Sequence, residues 1–171
     1  MAMAMKQKAD LIFLPLGGCG EIGMNFNLFG HQDDWLAVDC GITLEQQTGS
    51  LRPSVQMPDP TFISSRRDHL VGIIITHAHE DHLGALPYLW CRLRCPVYAT
   101  PFAAAVLRYK TTLRGGELPE PLIEVHPGQV LDIGSFCIEW IPVTHSTPET
   151  CALWITTRKS RVLHTADWKI D

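Results

Sequence analysis

The stretch THAHEDHLGA at 76–85 follows directly on the apolar run VGIII at 71–75, and its reading decides the rest. Within it, His77, His79, Asp81 and His82 place four metal-ligand side chains inside six residues. VGIII is a continuous β-branched run, the pattern of a strand buried on both faces. His77 and His79 are two apart, so in an extended segment their rings point the same way. Asp81 and His82 follow the turn into the next helix and face a second point nearby. Imidazole and carboxylate are the ligand types zinc takes in hydrolytic sites, and this spacing suits two ions rather than one. One histidine in a polar loop is ordinarily just solvated. Three with an aspartate, at a strand end, are not.

Two further ligand candidates lie downstream. SFCIEWIPVTHS brings His145 to the end of a long apolar strand, and RVLHTAD brings Asp167 to the end of a later one. The other histidines read as surface or packing residues. His31 falls in a polar turn, His69 before a strand and His126 in an HPG turn. His164, three residues before Asp167, is expected on the opposite side of its strand.

Outward from the motif the chain reads as short strands and two helices. LIFLPL (11–16), MNFNLFG (24–30) and WLAVDCG (35–41) are strands, the last ending at Asp39. Met24, Phe26 and Leu28 share a face. Residues 42–60, with three prolines, read as a long loop. HLGALPYLWCRL (82–93) is one helix kinked near Pro87. PFAAAVLRYKTTL (101–113) is the clearest helix, with Pro in its first turn and Gly115 after its end. PVYAT and then LIEV, QVLDI, SFCIEWIPVTH, CALWITT and RVLHTAD are strands. The expected class is a layered α/β or α+β fold with much antiparallel sheet.

GGCGEIG imitates a dinucleotide fingerprint, with Gly18-x-Gly20-x-x-Gly23 after a strand and Asp39 further on. That fingerprint needs a helix opening at the glycines. MNFNLFG alternates instead, so a tight turn between antiparallel strands is the better reading.

The totals bound the function. The 171 residues make one domain, 46% apolar and 19% charged, with formal net charge −4. This is not a polycation that coats nucleic acid. No run reaches the length of a membrane span. MAMAMKQK lacks the apolar core of a signal peptide, and 1–10 read as a disordered leader. The six cysteines read as cytosolic thiols. Cys91 and Cys95 are four apart on an expected helix, half of a zinc site at most. No second Cys pair completes it, so packing is the reading. Arg108, Lys110 and Arg114 read as a solvated helix face.

THAHEDHLGA resembles the HxHxDH signature of the metallo-β-lactamase superfamily. Together with LPLGGCGEIGMN, AVDCG, MPDP, PVYATPF, VTHSTPE and HTADWKID, it is similar to the bacterial ribonuclease J family of the β-CASP branch, from Leu14 to Asp171. The resemblance implies an αββα sandwich, of which 11–171 would be the N-terminal part, without the β-CASP domain and the C-terminal half. It implies that His77, His79 and His145 hold one zinc, that Asp81 and His82 hold a second, and that Asp167 bridges them. Asp81 would also steer the proton of an activated water. Asp39 would support catalysis by accepting a hydrogen bond from a ligand imidazole. Ser146 would donate to a substrate phosphate, or else cap a turn.

The implied activity is two-metal hydrolysis of RNA, exonucleolytic from the 5′ end and endonucleolytic, in the cytoplasm. The family's further ligand histidine comes from far downstream. A fragment is therefore expected to bind one zinc firmly and a second weakly, with little turnover. The alternatives are another hydrolase of the superfamily, acting on a thioester or lactam, or a non-catalytic metal-binding module. Such a module would form a homodimer through an exposed sheet edge or apolar face. Ala166 stands where the family more often has Gly, an exchange that is cheap if the backbone there is ordinary.

Overall fold

The VGIII run forms an interior strand whose neighbours arrive from both ends of the chain. A computed structural model describes residues 10–45 and 53–170. The first sheet runs β1 (Ile12–Gly17), β2 (Phe26–His31), β3 (Asp34–Val38), β6 (Leu70–Ile75), β7 (Val97–Ala99) and β8 (Leu122–Glu124). Strands β1, β2 and β3 are antiparallel neighbours, whereas β3, β6, β7 and β8 run parallel. Parallel neighbours bring their carboxyl ends to one edge of the sheet, and that edge carries Asp39, His77 and Thr100. The second sheet is antiparallel, in the order β12 (Arg161–His164), β11 (Cys151–Thr156), β10 (Phe136–Pro142), β9 (Val130–Ile133).

Alternation within each strand assigns side chains to two cores. Ala37, Ile73 and Ile75 face the helices α1 (Thr61–Ser64), α3 (Leu86–Leu93) and α4 (Pro101–Arg114). Leu36, Val38 and Ile74 face the second sheet, meeting Phe136, Ile138, Trp140, Leu153 and Ile155. Each fully buried aliphatic or aromatic side chain of this kind contributes about 1.5–3 kcal/mol. Helix α3 buries Leu86, Leu89, Trp90 and Leu93, one face at helical spacing. The layers are thus helices, mixed sheet and antiparallel sheet. Among the described residues no helix covers the outer face of the second sheet. There Ile141, Trp154, Leu163 and Trp168 line an apolar trough of about 360 Å³.

Several local expectations change. Residues 42–60 hold a small antiparallel pair, β4 (Thr43–Glu45) with β5 (Ser54–Gln56), where a long loop was expected; 46–52 lie outside the described residues. The helix expected over 82–93 is two: α2 (Glu80–Leu83) and α3, with Pro87 in the first turn of α3. Proline belongs in a first turn because its missing N–H has no partner to lose there. Cys95 is buried beyond the end of α3 rather than on it, while Cys91 is exposed. His31 ends β2 and is buried, not in a turn. The leader lies outside the described residues except for Asp10, whose carboxylate accepts a hydrogen bond from Thr157 at 2.7 Å. The glycines of GGCGEIG do turn the chain between antiparallel β1 and β2, with φ of 81°, 79° and 93° at Gly18, Gly20 and Gly23.

Candidate metal centre

Strand β6 ends at Ile75, and the next residues deliver the motif. Thr76 follows the strand, the chain bends at His77 and Ala78, and His79 stands just before α2, in β conformation. The Nε2 of His77 lies 3.0 Å from His79 Nδ1, and His145 Nε2 lies 3.1 Å from the same atom. Three ring nitrogens from two distant segments therefore converge on one point. Asp81 and His82 lie in α2, one turn further on. His82 Nε2 is 3.5 Å from Asp81 Oδ2 and 3.6 Å from Asp167 Oδ1. Asp167 Oδ2 is 3.7 Å from His145 Nε2, so the two oxygens of one carboxylate face the two groups. His77 also belongs to both, since its ring centroid is 4.0 Å from that of His82.

The loop holding α2 is fixed by backbone bonds to two other segments. Cys40 N donates to His82 O at 2.7 Å, Ala85 N to Cys40 O at 2.9 Å and Asn25 N to Asp81 O at 3.0 Å. The approach is so close that a Cβ on Gly41 would stand 1.6 Å from the Asp81 carbonyl oxygen. Only glycine fits there.

Beneath the ligands, Asp39 is completely buried and accepts from three groups. His82 Nδ1 donates to it at 2.8 Å, Thr76 N at 2.9 Å and Thr76 Oγ1 at 3.0 Å. Thr76 Oγ1 in turn lies 3.0 Å from His77 Nδ1, and can accept its proton. One carboxylate thus sets the tautomer of two imidazoles, His82 directly and His77 through a hydroxyl. Both rings thereby turn Nε2 toward the cluster. Ser146 Oγ does the same for His79, 3.3 Å from its Nε2 and leaving Nδ1 inward. The Nδ1 of His145 is buried with no hydrogen-bond partner among the described residues.

Charge follows from this arrangement. Burial, then the neighbouring His82, pushes His77 down to about 3. Burial and His145 lower His79 as well. Burial also works against a proton on His82, but Asp39, Asp81 and Asp167 outweigh it and raise that imidazole to about 9. Burial would raise the carboxyl of Asp39, but the charge and hydrogen bond of His82 prevail and hold it below its ordinary value. His77 and His79 are therefore neutral, the state a metal requires.

All six residues expected as ligands are brought together, although His145 and Asp167 sit three residues beyond their strand ends rather than on them. Asp39 and Ser146 both touch ligand imidazoles. His164 differs from expectation: it lines the same cavity of about 380 Å³ as His82 and Asp167, with Asn25, Asn27 and Phe29. Between His164 and Asp167, Ala166 is left-handed with φ 50°. The backbone there is therefore not ordinary, and alanine is strained where glycine would not be. Thr76 and Asn25 escaped the sequence reading. Asn25 Nδ2 donates to Asp81 O at 3.0 Å and lies 3.2 Å from His82 Nε2. Thr76 stands next to the motif and was open to notice; Asn25 is 56 residues from its partner.

Comparison with known proteins agrees with this fold. A sequence model of the Beta-lactamase superfamily domain matches residues 34–170. A ribonuclease J of Sinorhizobium meliloti is 45% identical over 173 residues, covering 98% of this chain and 30% of that protein. A ribonuclease J of Helicobacter pylori is 35% identical over 170 residues, covering 99% of this chain and 24% of that protein. The chain thus spans less than a third of the length of these relatives. Among solved structures, the metallo-beta-lactamase fold protein YhfI from Bacillus subtilis superposes with a TM-score of 0.64 at 22% identity, over 92% of this chain and 62% of that one. The short form of human tRNase Z superposes at 0.59 and 16% identity, over 93% and 69%. With the mixed and antiparallel sheets stacked as described and the match running over most of its length, the chain belongs to the beta-lactamase superfamily, as a metallo-β-lactamase-type α/β domain matching the N-terminal portion of ribonuclease J proteins.

Proposed function

We propose that this chain is the metal-binding core of a zinc-dependent hydrolase that cleaves RNA phosphodiesters. One observation carries the reading: His77 Nε2 and His145 Nε2 lie 3.0 and 3.1 Å from His79 Nδ1, and Asp167 reaches from His145 to His82. Imidazole nitrogens with a shared carboxylate are a zinc donor set, and the outer nitrogens of His77 and His79 are already occupied by hydroxyls. The names of the ribonuclease J relatives support RNA as the substrate. The free cysteines support a reducing, cytoplasmic setting, and no helix among the described residues is long and apolar enough to cross a membrane.

When bound, the zinc ions supply Lewis acidity toward a water and a phosphate oxygen. The chain's own groups do the rest. Asp81, partly exposed beside His82, would take the proton of the attacking water and return it to the ribose oxygen that leaves as the P–O bond breaks. Asp39 touches no substrate; it holds His82 and, through Thr76, His77. Ser146 accepts from His79 and donates its own hydrogen to a phosphate oxygen. The His77–His79–His145 group takes one zinc firmly. Asp81, His82 and the shared Asp167 take a second more weakly, so turnover by this chain is slow.

Zinc stoichiometry by mass spectrometry, alongside hydrolysis of 5′-monophosphorylated RNA, a thioester and a lactam, tests this. The expected result is one tightly held zinc, and slow cleavage of RNA alone. Failure to bind zinc, or cleavage of thioester or lactam instead of RNA, overturns it.

A further inference from the structure

The VTHSTPE segment contributes His145 and Ser146 to the centre, but Glu149 has so far had no role. Glu149 Oε2 accepts a hydrogen bond from Phe102 N at 2.8 Å, in the first turn of α4. That helix needs an outside partner. Pro101 at its first position has no N–H, and Thr100, at the N-cap, makes no side-chain cap. Thr100 Oγ1 is in fact buried with no hydrogen-bond partner among the described residues. The first donor of a long helix is therefore taken by a carboxylate from another segment, at the end where the helix dipole favours negative charge.

The segment that supplies it is closed and strained. Val143 N donates to Thr150 O at 3.0 Å, shutting the loop at its base. Thr150 Oγ1 donates to Thr147 O at 3.0 Å inside it. Glu149 itself is left-handed, φ 58°, a conformation that a non-glycine residue keeps only when its surroundings over-determine it. The same helix holds the other half of the centre. Lys110 pairs with Glu80 Oε1, and Arg114 lies 3.6 Å from the same oxygen. Glu80 opens α2, directly before Asp81 and His82. Both cations were expected on a solvated face; Arg114 is exposed, and both also pair with the first residue of α2.

We infer that α4 is the bar on which the two ligand groups are set, with Glu149 and Glu80 as its positioning residues. Glu149 fixes the loop that carries His145, and Glu80 fixes the helix that carries Asp81 and His82. The inference rests on the metal-centre reading above, but its geometry can be tested without metal.

The test compares Glu149→Ala and Glu149→Gln with Asp59→Ala. Asp59 also caps a helix, accepting from Thr61 N at 2.9 Å, but at α1, and serves as the control. All three variants are expected to lower the melting temperature modestly. Only Glu149→Ala should weaken zinc binding tenfold or more, and Glu149→Gln, which keeps an acceptor, should restore most of it. In metal-free protein, the imidazole NMR signals of His145 should move in Glu149→Ala, while those of exposed His126 stay. Glu80→Gln should move the signals of His82 and leave His145 in place. If Glu149→Ala and Asp59→Ala lose equal stability and neither shifts His145 or changes zinc affinity, the inference is overturned. If wild-type protein binds no zinc yet His145 moves in Glu149→Ala, the metal reading fails and the positioning stands.

Discussion

The carboxylate of Asp39 lies 2.8 Å from Nδ1 of His82, with both side chains buried, although the two are 43 residues apart. Asp39 is itself left-handed, φ 65°, which asparagine tolerates as well as aspartate. Asp39→Asn therefore removes the charge without forcing the backbone. The expected outcome is a 10- to 100-fold loss of zinc affinity at the weaker position, the usual cost of losing a ligand's hydrogen-bonded support. Competitive titration with a chromophoric chelator measures it; an unchanged affinity would mean that Asp39 is structural only.

The same pair gives metal-free protein a pH dependence. The pKa of His82 is raised from 6.5 to about 9, so its contribution to stability is fully present below pH 6.5 and is lost as pH rises through 9. His77, lowered to about 3, acts oppositely: the fold loses stability as pH falls from 6.5 toward 3. Urea midpoints of chelator-treated protein should thus fall on both sides of pH 6.5, and Asp39→Asn should flatten the alkaline side. Zinc competes with the His82 proton, so affinity at the position His82 serves should climb from pH 6.5 to 9. Affinity that stays level across that range would count against a protonated His82.

Ala166 offers a gain in stability. Its φ of 50° costs an L residue roughly 1 kcal/mol relative to glycine. Ala166→Gly should raise the melting temperature by about 2–4 °C, less whatever the added freedom of the unfolded chain takes back. A lower melting temperature would show that contacts of the alanine methyl outweigh the strain.

Gly41→Ala should do the reverse. Its Cβ would meet backbone at 1.6 Å, with no flexible side chain to yield. The segment bearing Asp81 and His82 would have to move, at roughly 3 kcal/mol or more, beyond the ordinary range of single substitutions. Circular dichroism should show a destabilised fold, and equilibrium dialysis a loss of the weaker zinc. A folded variant with full zinc content would refute the close approach.

The candidate ligands were legible because chemistry and local pattern coincided in them. Histidines and aspartates follow the ends of apolar strands, and the ends of β6, β10 and β12, from two stacked sheets, bring them together. Counting residues along an extended strand put His164 opposite Asp167; it packs on Phe29 as a packing residue would, yet lines the same cavity as Asp167, and left-handed Ala166 stands between the two. The β4–β5 pair was hidden because three-residue strands rest on each other rather than on a long apolar run. The break between α2 and α3 was hidden because the apolar spacing continues across Gly84 and Ala85.

By itself, then, the sequence determined most of the longer strands, the helix at 101–113 and the inventory of candidate metal donors, all of which depend on side-chain chemistry and short-range period. Only the tertiary structure decided which nitrogen of each imidazole faces inward, and it did so through Asp39, Thr76 and Ser146. It also decided that Glu149 and Glu80 meet one helix, and that nothing larger than glycine fits at position 41. Those outcomes depend on how closely segments far apart in the chain approach one another, and close approach is a property of packed layers that no local pattern carries.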